Sequence, residues 1–441
     1  MLDILGHRTY RHLFAAQVIA LLGTGLATVA LGLLAYDLAG DDAGVVLGTA
    51  LAIKMMAYVG VAPVAAAFAS SFPRRALLVS LDLVRAAVAL LLPFVTQIWE
   101  VYVLIFVLQA ASAAFTPTFQ ATIPDVLPEE KDYTKALSLS RLAYDMESLV
   151  SPMLAAALLT VIGFYYLFAG TVLGFLASAA LVVSVALPKN PTPKRRGIYD
   201  RTTRGLRIFL ATPRLRGLLA INAAVAAAGS MVFVNTVVIV QANMGLTQKS
   251  VALTLALFGA GSMVAALGLP RLLDKLSDRV AMIAGVALLV AGLGIGTQVA
   301  SYTGTLLLWF VMGLGYSTAQ TPSGRLLRRS AQPEDRPALF AAQFALSHAC
   351  WLIFYPLAGW LGARLGMPLT FACLGLAALM AVLVALRVWP AHDPDVIEHE
   401  HADLPAGHTH LHDGAPAAHG LRHAHPYVVD DHHPRWPGTG G

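Results

Sequence analysis

The chain has 441 residues, of which 57% are hydrophobic and 12% charged, and its formal net charge is +5. With a mean hydropathy of +0.68, these values exclude a soluble globular domain and describe a membrane protein. The two cysteines, Cys350 and Cys373, fall inside apolar segments, so neither a disulfide framework nor a Cys-rich zinc site is available.

Spanning roughly 30 Å of hydrocarbon takes about 20 mostly apolar residues as a helix. In chain order, twelve segments meet that requirement: 12–38, 44–69, 75–97, 99–123, 134–160, 163–188, 215–242, 249–270, 279–300, 302–324, 336–363 and 368–389. The first is too long for a signal-peptide core and lacks a convincing cleavage site, so it is expected to be retained. Pro117 and Pro124 interrupt the fourth span and Pro322 the tenth.

Lys and Arg set the orientation. The loops after even-numbered spans carry Arg74 and Arg75, then Lys131 and Lys135, a long basic run from Lys189 to Arg216, then Arg271, Lys275 and Arg279, and finally Arg325, Arg328, Arg329 and Arg336. The loops after odd-numbered spans offer only Lys249 and Arg364. This asymmetry predicts cytoplasmic even loops and termini, in a bacterial inner membrane. Positive-inside bias and anionic lipid account for the basic central loop, so the expected partner there is the bilayer and not nucleic acid. The chain contains no Walker loop, which makes an ion gradient the expected energy source, and no catalytic constellation, which argues against an enzyme.

The longest break between spans, residues 188–217, divides them six and six. The two halves match at an offset of 205 residues: Thr116-Pro117-Thr118 with Thr321-Pro322-Ser323, Pro128-Glu129-Glu130-Lys131 with Pro333-Glu334-Asp335-Arg336, and Arg74 with Arg279. Six spans per half is even, so the repeats run parallel, as do the two halves of a major facilitator transporter. The expected organisation is an N-terminal six-helix half (1–188), a basic linker (189–214), a C-terminal six-helix half (215–389) and a tail (390–441). The fold class is an all-α membrane protein with two parallel six-helix repeats.

The loop "LPRLLDKLSDR" resembles the major facilitator loop motif, which implies gating roles for Asp274, Lys275 and Arg279. The corresponding first-half loop, "AFASSFPRR", keeps Arg74 and Arg75 but has Ser70 and Ser71 where the family usually has Asp and Arg. Span 5 resembles the antiporter helix motif, with Ser151-Pro152 in place of Gly-Pro. Together with "FAAQFALSHACWLIFYPLAGWLG" and a histidine-rich end, the chain is similar to NreB-type nickel-resistance exporters. That resemblance implies export of Ni²⁺ or Co²⁺ from the cytosol by alternating access against protons, in a monomer without a resident cofactor. An exporter of siderophores or drugs, with a larger and more aromatic cavity, is the alternative within transporters. A metal sensor or store on a transporter fold is the alternative outside them.

Ionisable residues within spans are expensive and therefore candidates for function. Well inside the spans lie Lys54, Asp82, Arg85, Arg141, Asp145, Glu147 and His348, while Asp37 sits near the end of the first. Asp82 and Arg85 are three apart and Arg141 and Asp145 four apart, so each pair shares a helix face and is able to bridge locally. Lys54 and Glu147 are then left to find partners across helices. Asp145 and Glu147 lie about 200° apart around the helix, so only one of them easily faces a central path. One is expected to hold a proton or the substrate in turn, because metal ligands must be deprotonated. His348 is a candidate ligand, or else an interhelical hydrogen-bonding group, and Asn222 and Asn235, with Met55, Met56 and Met231, are either completing groups or packing.

From residue 390 on, 11 of the 14 histidines accumulate. Eight acids against two arginines there leave the tail at −6 with neutral histidines and the rest of the chain at +11. Rich in Pro and Gly and poor in large apolar residues, the tail is expected to be disordered. Its clusters His399 and His401, then His408, His410 and His412, then His423 and His425, then His432 and His433, are candidate divalent-metal ligands. The tail is read either as a metal collector or as a brake that lies on the basic loops around 189–216 until metal releases it.

Overall fold

The computed structural model describes residues 2–39, 43–69, 71–188, 197–394, 396–401, 415–417 and 420–437. The first six spans are α1 (Arg8–Ala39), α2 (Ala43–Ala69), α3 (Arg74–Leu91), α4 (Ile98–Val126), α5 (Glu130–Leu158) and α6 (Tyr165–Val183). A further helix, α7 (Ile198–Ala211), precedes α8 (Pro213–Val237), α9 (Gln248–Leu273), α10 (Asp278–Gly296), α11 (Tyr302–Gln320), the short α12 (Ser323–Arg329) and the 53-residue α13 (Arg336–Val388). Nine of the described helices are long and apolar enough to cross a membrane. One of them, α13, is two spans joined at Gly366, whose φ of 74° is a conformation that only glycine adopts without strain. The remaining two spans are α5, diluted by Arg141, Asp145 and Glu147, and α11, diluted by Thr, Ser, Gly and Gln, which completes the twelve.

The bundle turns Leu90, Leu173, Val264, Leu307 and Ile353 outward, as a hydrocarbon solvent requires. Among the first six spans, α1 packs on α5 and α6, and α3 on α4 and α6; among the last six, α8 packs on α13 and α9 on α11. The two sets meet along α2 with α13 and α5 with α9. The termini and the loops that follow even-numbered spans share one end of the bundle, called the basic end below.

Two expectations change, and the linker gains a helix. The helix α4 runs unbroken through Pro117 and Pro124, both buried, while Thr118 and Thr122 turn their hydroxyls onto the Ala114 and Thr118 carbonyls. The carbonyls that the two prolines free, those of Ala113 and Gln120, are not the ones these hydroxyls reach, and the packing of neighbouring helices makes internal proline tolerable in a membrane bundle. Pro322 does act as a break, separating α11 from α12. In the basic linker, residues 198–211 form the amphipathic α7, which buries Arg204, Gly205, Ile208 and Phe209 against α13. Gly205 permits this approach, since a Cβ there would stand 1.9 Å from the Ala338 carbonyl oxygen.

The tail was expected to be disordered, and its described residues instead fold. β1 (Val396–His401), β2 (Ala415–Ala417) and β3 (Gly420–Pro426) make an antiparallel sheet in the order β1-β3-β2. Arg422 bonds its cross-strand partner Glu400 at 2.7 Å. The apolar burial that overall composition concealed comes from Tyr427, Val428, Val429 and Trp436. Tyr427, Val429 and Trp436 join the main core cluster of the C-terminal half beside the fully buried Trp389.

Candidate functional site

Midway along the bundle, α2, α5, α9, α11 and α13 enclose a cavity of about 370 Å³ bounded by Lys54, Tyr58, Arg141, Asp145, Tyr316 and His348. A second cavity of about 410 Å³ shares Lys54, Tyr58, Arg141 and His348, takes in Gln17, Gln120 and Glu147, and reaches the basic end at Tyr133 and Leu327.

The span charges divide into three groups. Arg85 pairs with the fully buried Asp82, which also accepts from Ser178 at 2.8 Å, and the guanidinium lies 4.0 Å from the Phe115 ring and 4.5 Å from the Phe175 ring. This arrangement ties α3 to α4 and α6, although Arg85 also lines the larger cavity. Arg141 donates to Asp145 at 2.6 Å on the same helix. Ser262 of α9 donates to the other Asp145 oxygen at 2.6 Å, so this pair also links the two six-span sets, with Arg141 stacked 4.6 Å from Tyr316. Glu147, on the opposite face of α5, forms no ion pair among the described residues; the cation within electrostatic range is Lys54, itself 5.6 Å from the Tyr58 ring.

His348 directs Nδ1 at the Phe344 carbonyl, 2.7 Å away, and packs against the rings of Tyr58 and Phe344. A carbonyl only accepts, so Nδ1 carries the proton and Nε2 of the neutral ring keeps its lone pair. Asn222 donates to Gln343, a cavity residue, at 3.3 Å. Asn235 lies elsewhere: it donates to the Ala358 carbonyl at 3.1 Å and ties α8 to α13. Met55 lines the cavity, whereas Met56 is exposed and Met231 buried in the core.

At the basic end the two sets are latched by residues that the sequence did not single out. Asp125 of α4 receives Arg74 at 2.6 Å and, from α13, Arg336 at 2.9 Å. Arg325 of α12 pairs with Glu130 of α5 and with the buried Asp278, the latter at 3.0 Å, and Arg328 donates to the Pro128 carbonyl. Of the three residues assigned to the gating loop, Asp274 caps the end of α9 and is exposed, as is Lys275, while Arg279 donates to the Trp389 carbonyl at 3.1 Å. Asp125 and Asp278 were missed because their partners are remote in sequence. Tyr58, Tyr316 and Trp351 were missed because a lone aromatic in a span carries no periodic signal.

The tail brings four of the nine candidate ligands together. His399 of β1, His423 and His425 of β3, and His433 beyond it offer ligand atoms that all lie within 4.8 Å of one another. The register sets His399 opposite His423, and a spacing of two puts His423 and His425 on one strand face. His399 Nε2 is 2.9 Å from His433 Nε2 and 3.1 Å from His423 Nε2. His399 Nδ1 faces the Ile397 carbonyl at 3.0 Å and His433 Nδ1 faces Asp430 at 2.9 Å, so both Nδ1 atoms are donors. His399 and His433 thus turn their Nε2 atoms toward each other, where a shared electrophile, a proton or a metal ion, would sit. Burial, only partly offset by the Ile397 carbonyl, and then the neighbouring imidazoles push His399 down to about 4, so its ring is neutral at neutral pH. Burial pushes the Asp430 carboxyl up, but the hydrogen bond and charge of His433 outweigh it and hold it at about 2. His432 is exposed and stays outside the group, His401 has no described side chain, and His408, His410 and His412 lie outside the described residues.

The chain matches the family model described as Major Facilitator Superfamily over residues 13–292 and 218–421. It is 25% identical over 182 residues to macrolide efflux protein A of Streptococcus pyogenes, a match covering 40% of this chain and 44% of that protein, so it spans less than half the length of that relative. It is 24% identical over 430 residues to the uncharacterized MFS-type transporter YvqJ of Bacillus subtilis, covering 91% and 98% of the two chains. Among solved structures, the human organic anion transporter MFSD10 superposes with a TM-score of 0.76 at 12% identity, over 86% of this chain and 99% of that one. A bacterial homologue of the iron transporter ferroportin, in an outward-facing state, gives 0.72 at 14% identity over 86% and 98%. These two likenesses concern the fold, and the family model spans both halves: the chain belongs to the Major Facilitator Superfamily.

Proposed function

We propose that this transporter exports a late first-row divalent metal, nickel first and cobalt second, from the cytosol by alternating access against protons. The observation that carries the reading is the four-imidazole cluster docked at the basic end, because imidazole suits nickel and its neighbours. The excess of Lys and Arg at that end supports reading it, with both termini, as the cytoplasmic side of an inner membrane. The halves 1–188 and 215–389 rock about the central cavity, joined by 189–214. Within it, Glu147 and the Nε2 of His348 are the groups that take up a proton or a metal in turn, since a metal ligand must first lose its proton. The Arg141–Asp145–Ser262 group supplies an interaction between the halves that rocking has to break.

A second reading is favoured by the cavity lining, where Tyr58, Phe233, Phe258, Tyr316, Trp351 and Tyr355 surround Lys54. Aromatic walls with a cation suit an organic anion or a metal chelate better than a bare dication, and the likeness to macrolide efflux protein A favours an organic molecule over a bare ion. Uptake into inverted vesicles separates the two. Gradient-dependent accumulation of free nickel that Glu147→Gln abolishes supports metal export; accumulation of a macrolide, or of nickel only with a chelator, supports the second reading; nickel uptake indifferent to the gradient removes the antiport.

A further inference from the structure

We propose that a single divalent metal bound by His399, His423, His425 and His433 latches the tail onto the basic end and stabilises closure of the transporter there. This deepens the reading above and rests on it, since it requires the tail to bind metal.

The geometry of the site comes first. Four nitrogens bound at about 2.1 Å to one ion stand about 3.4 Å apart in a tetrahedron and about 3.0 to 4.2 Å apart in a square, and the four ligand atoms already lie within 4.8 Å. The Ile397 carbonyl, Asp430 and the Pro426 carbonyl engage Nδ1 of His399, His433 and His425 respectively, which leaves Nε2 as the ligand atom of each. Carbonyl and carboxylate partners of this kind orient metal-binding imidazoles and raise their basicity.

The site also connects three pieces of chain. His399 sits on β1, His423 and His425 on β3, and His433 in the segment that carries Tyr427, Asp431 and Trp436 onto the transporter. An ion held by all three staples the sheet to its docking segment. Asp431 bonds Arg204 at 2.9 Å, and Trp436 lies 4.8 Å from the Arg214 guanidinium. Neither is a ligand, so metal does not cancel the charge that docks the tail. Binding therefore strengthens docking, against the expectation that metal releases the tail.

Docking in turn bears on the residues that close the basic end. Arg204 holds Asp335 at 2.8 Å, and the next residue, Arg336, crosses to Asp125. Asp393, at the root of the tail, accepts from Arg329 and from Trp389 Nε1, the latter at 3.1 Å. Arg329 belongs to α12, the helix from which Arg325 and Arg328 reach Glu130 and Pro128. The tail thus braces both elements that carry the closure.

The test uses the full chain with Cys350→Ala and Cys373→Ala and a reporter, Leu137→Cys, which faces Gly324 across the closed end. Nickel binding is measured by calorimetry and reporter accessibility by maleimide labelling in reconstituted membranes. Nickel is expected to slow labelling by about fivefold or more, the lower range of allosteric couplings. The slowing should disappear in His399→Ala/His425→Ala, which loses a site, and in Asp431→Asn/Trp436→Ala, which keeps it. Nickel binding with unchanged or faster labelling overturns the latch and leaves the metal reading standing. Slowing that persists in Asp431→Asn/Trp436→Ala also overturns it. Absence of any histidine-dependent binding overturns both.

Discussion

Replacing Asp145 by Asn tests whether the central charge pair is a support or a spectator. The carboxylate is 3% exposed and Arg141 17%, and it holds Arg141 and Ser262 at 2.6 Å each. Removing one partner of such a pair typically costs about 3–5 kcal/mol, because the remaining charge stays buried without compensation. Asn retains neutral hydrogen bonds to both partners, so the lower end, about 3 kcal/mol, is expected here. A control isolates the contact between halves: Ser262→Ala leaves the Arg141–Asp145 pair intact and removes the short bond that Ser262 donates to the carboxylate, worth about 1.5–3 kcal/mol, with the longer one that it accepts from Arg141 Nε at 3.3 Å. If that bond exists only in the closed conformer, its loss shifts the conformational equilibrium by about tenfold for each 1.4 kcal/mol. The assay is paired: thermal unfolding in detergent, and transport in reconstituted vesicles. Asp145→Asn should melt several degrees lower and transport poorly, whereas Ser262→Ala should keep the charge pair, melt lower by less, and change transport kinetics. An Asp145→Asn protein that melts like the parent would refute the claim that this pair supports the bundle.

Glu147→Gln should behave oppositely to Asp145→Asn, because Glu147 forms no ion pair among the described residues: little change in melting, with loss of gradient-driven transport while downhill exchange continues. Gly205→Ala ordinarily stabilises a helix by about 1 kcal/mol; here its Cβ would meet the Ala338 carbonyl oxygen at 1.9 Å, so α7 should lift from α13 and limited proteolysis should cut near residue 205 sooner. Trp436→Ala removes a buried ring from the docking segment at a cost of about 3–5 kcal/mol. It should expose the tail to protease while the melting of the spans is unchanged.

What could be read in the sequence follows the range of the interactions involved. Spans declare themselves because hydrocarbon imposes length and apolarity on each segment alone, and the 205-residue repeat needs no contact to be seen. Pairs three or four apart, Asp82 with Arg85 and Arg141 with Asp145, are likewise local, and both form. Contacts that depend on how helices are arranged were not legible: Asp125 lies 211 residues from Arg336, and Arg204 lies 131 from Asp335. α7 left a weak local signal, with Gly205, Ile208 and Phe209 on one face of a helix otherwise rich in Arg, which the basic charge of the linker obscured.

The tail shows why counting residue types misjudges a short fold. Few large side chains are needed when one ring, Trp436, stacks on Arg214 beside the already buried Trp389, because the transporter supplies the other half of the core. The histidines were read as clusters along the chain, yet the group that forms takes one member from each of two neighbouring pairs and both of a third. Antiparallel register, not proximity in sequence, chooses them: pairing Val396 with Pro426 brings His399 to His423, and the two-residue period adds His425 on the same face. Shifting that register by one residue would turn His423 and His425 to the other face of the sheet from His399. A one-residue insertion between Pro426 and Asp430 displaces His433 instead and leaves the strands alone. If the four imidazoles act as one site, that insertion should weaken nickel binding as much as His433→Ala does. If the tail merely offers many interchangeable histidines, binding should be unchanged, because the insertion alters no histidine.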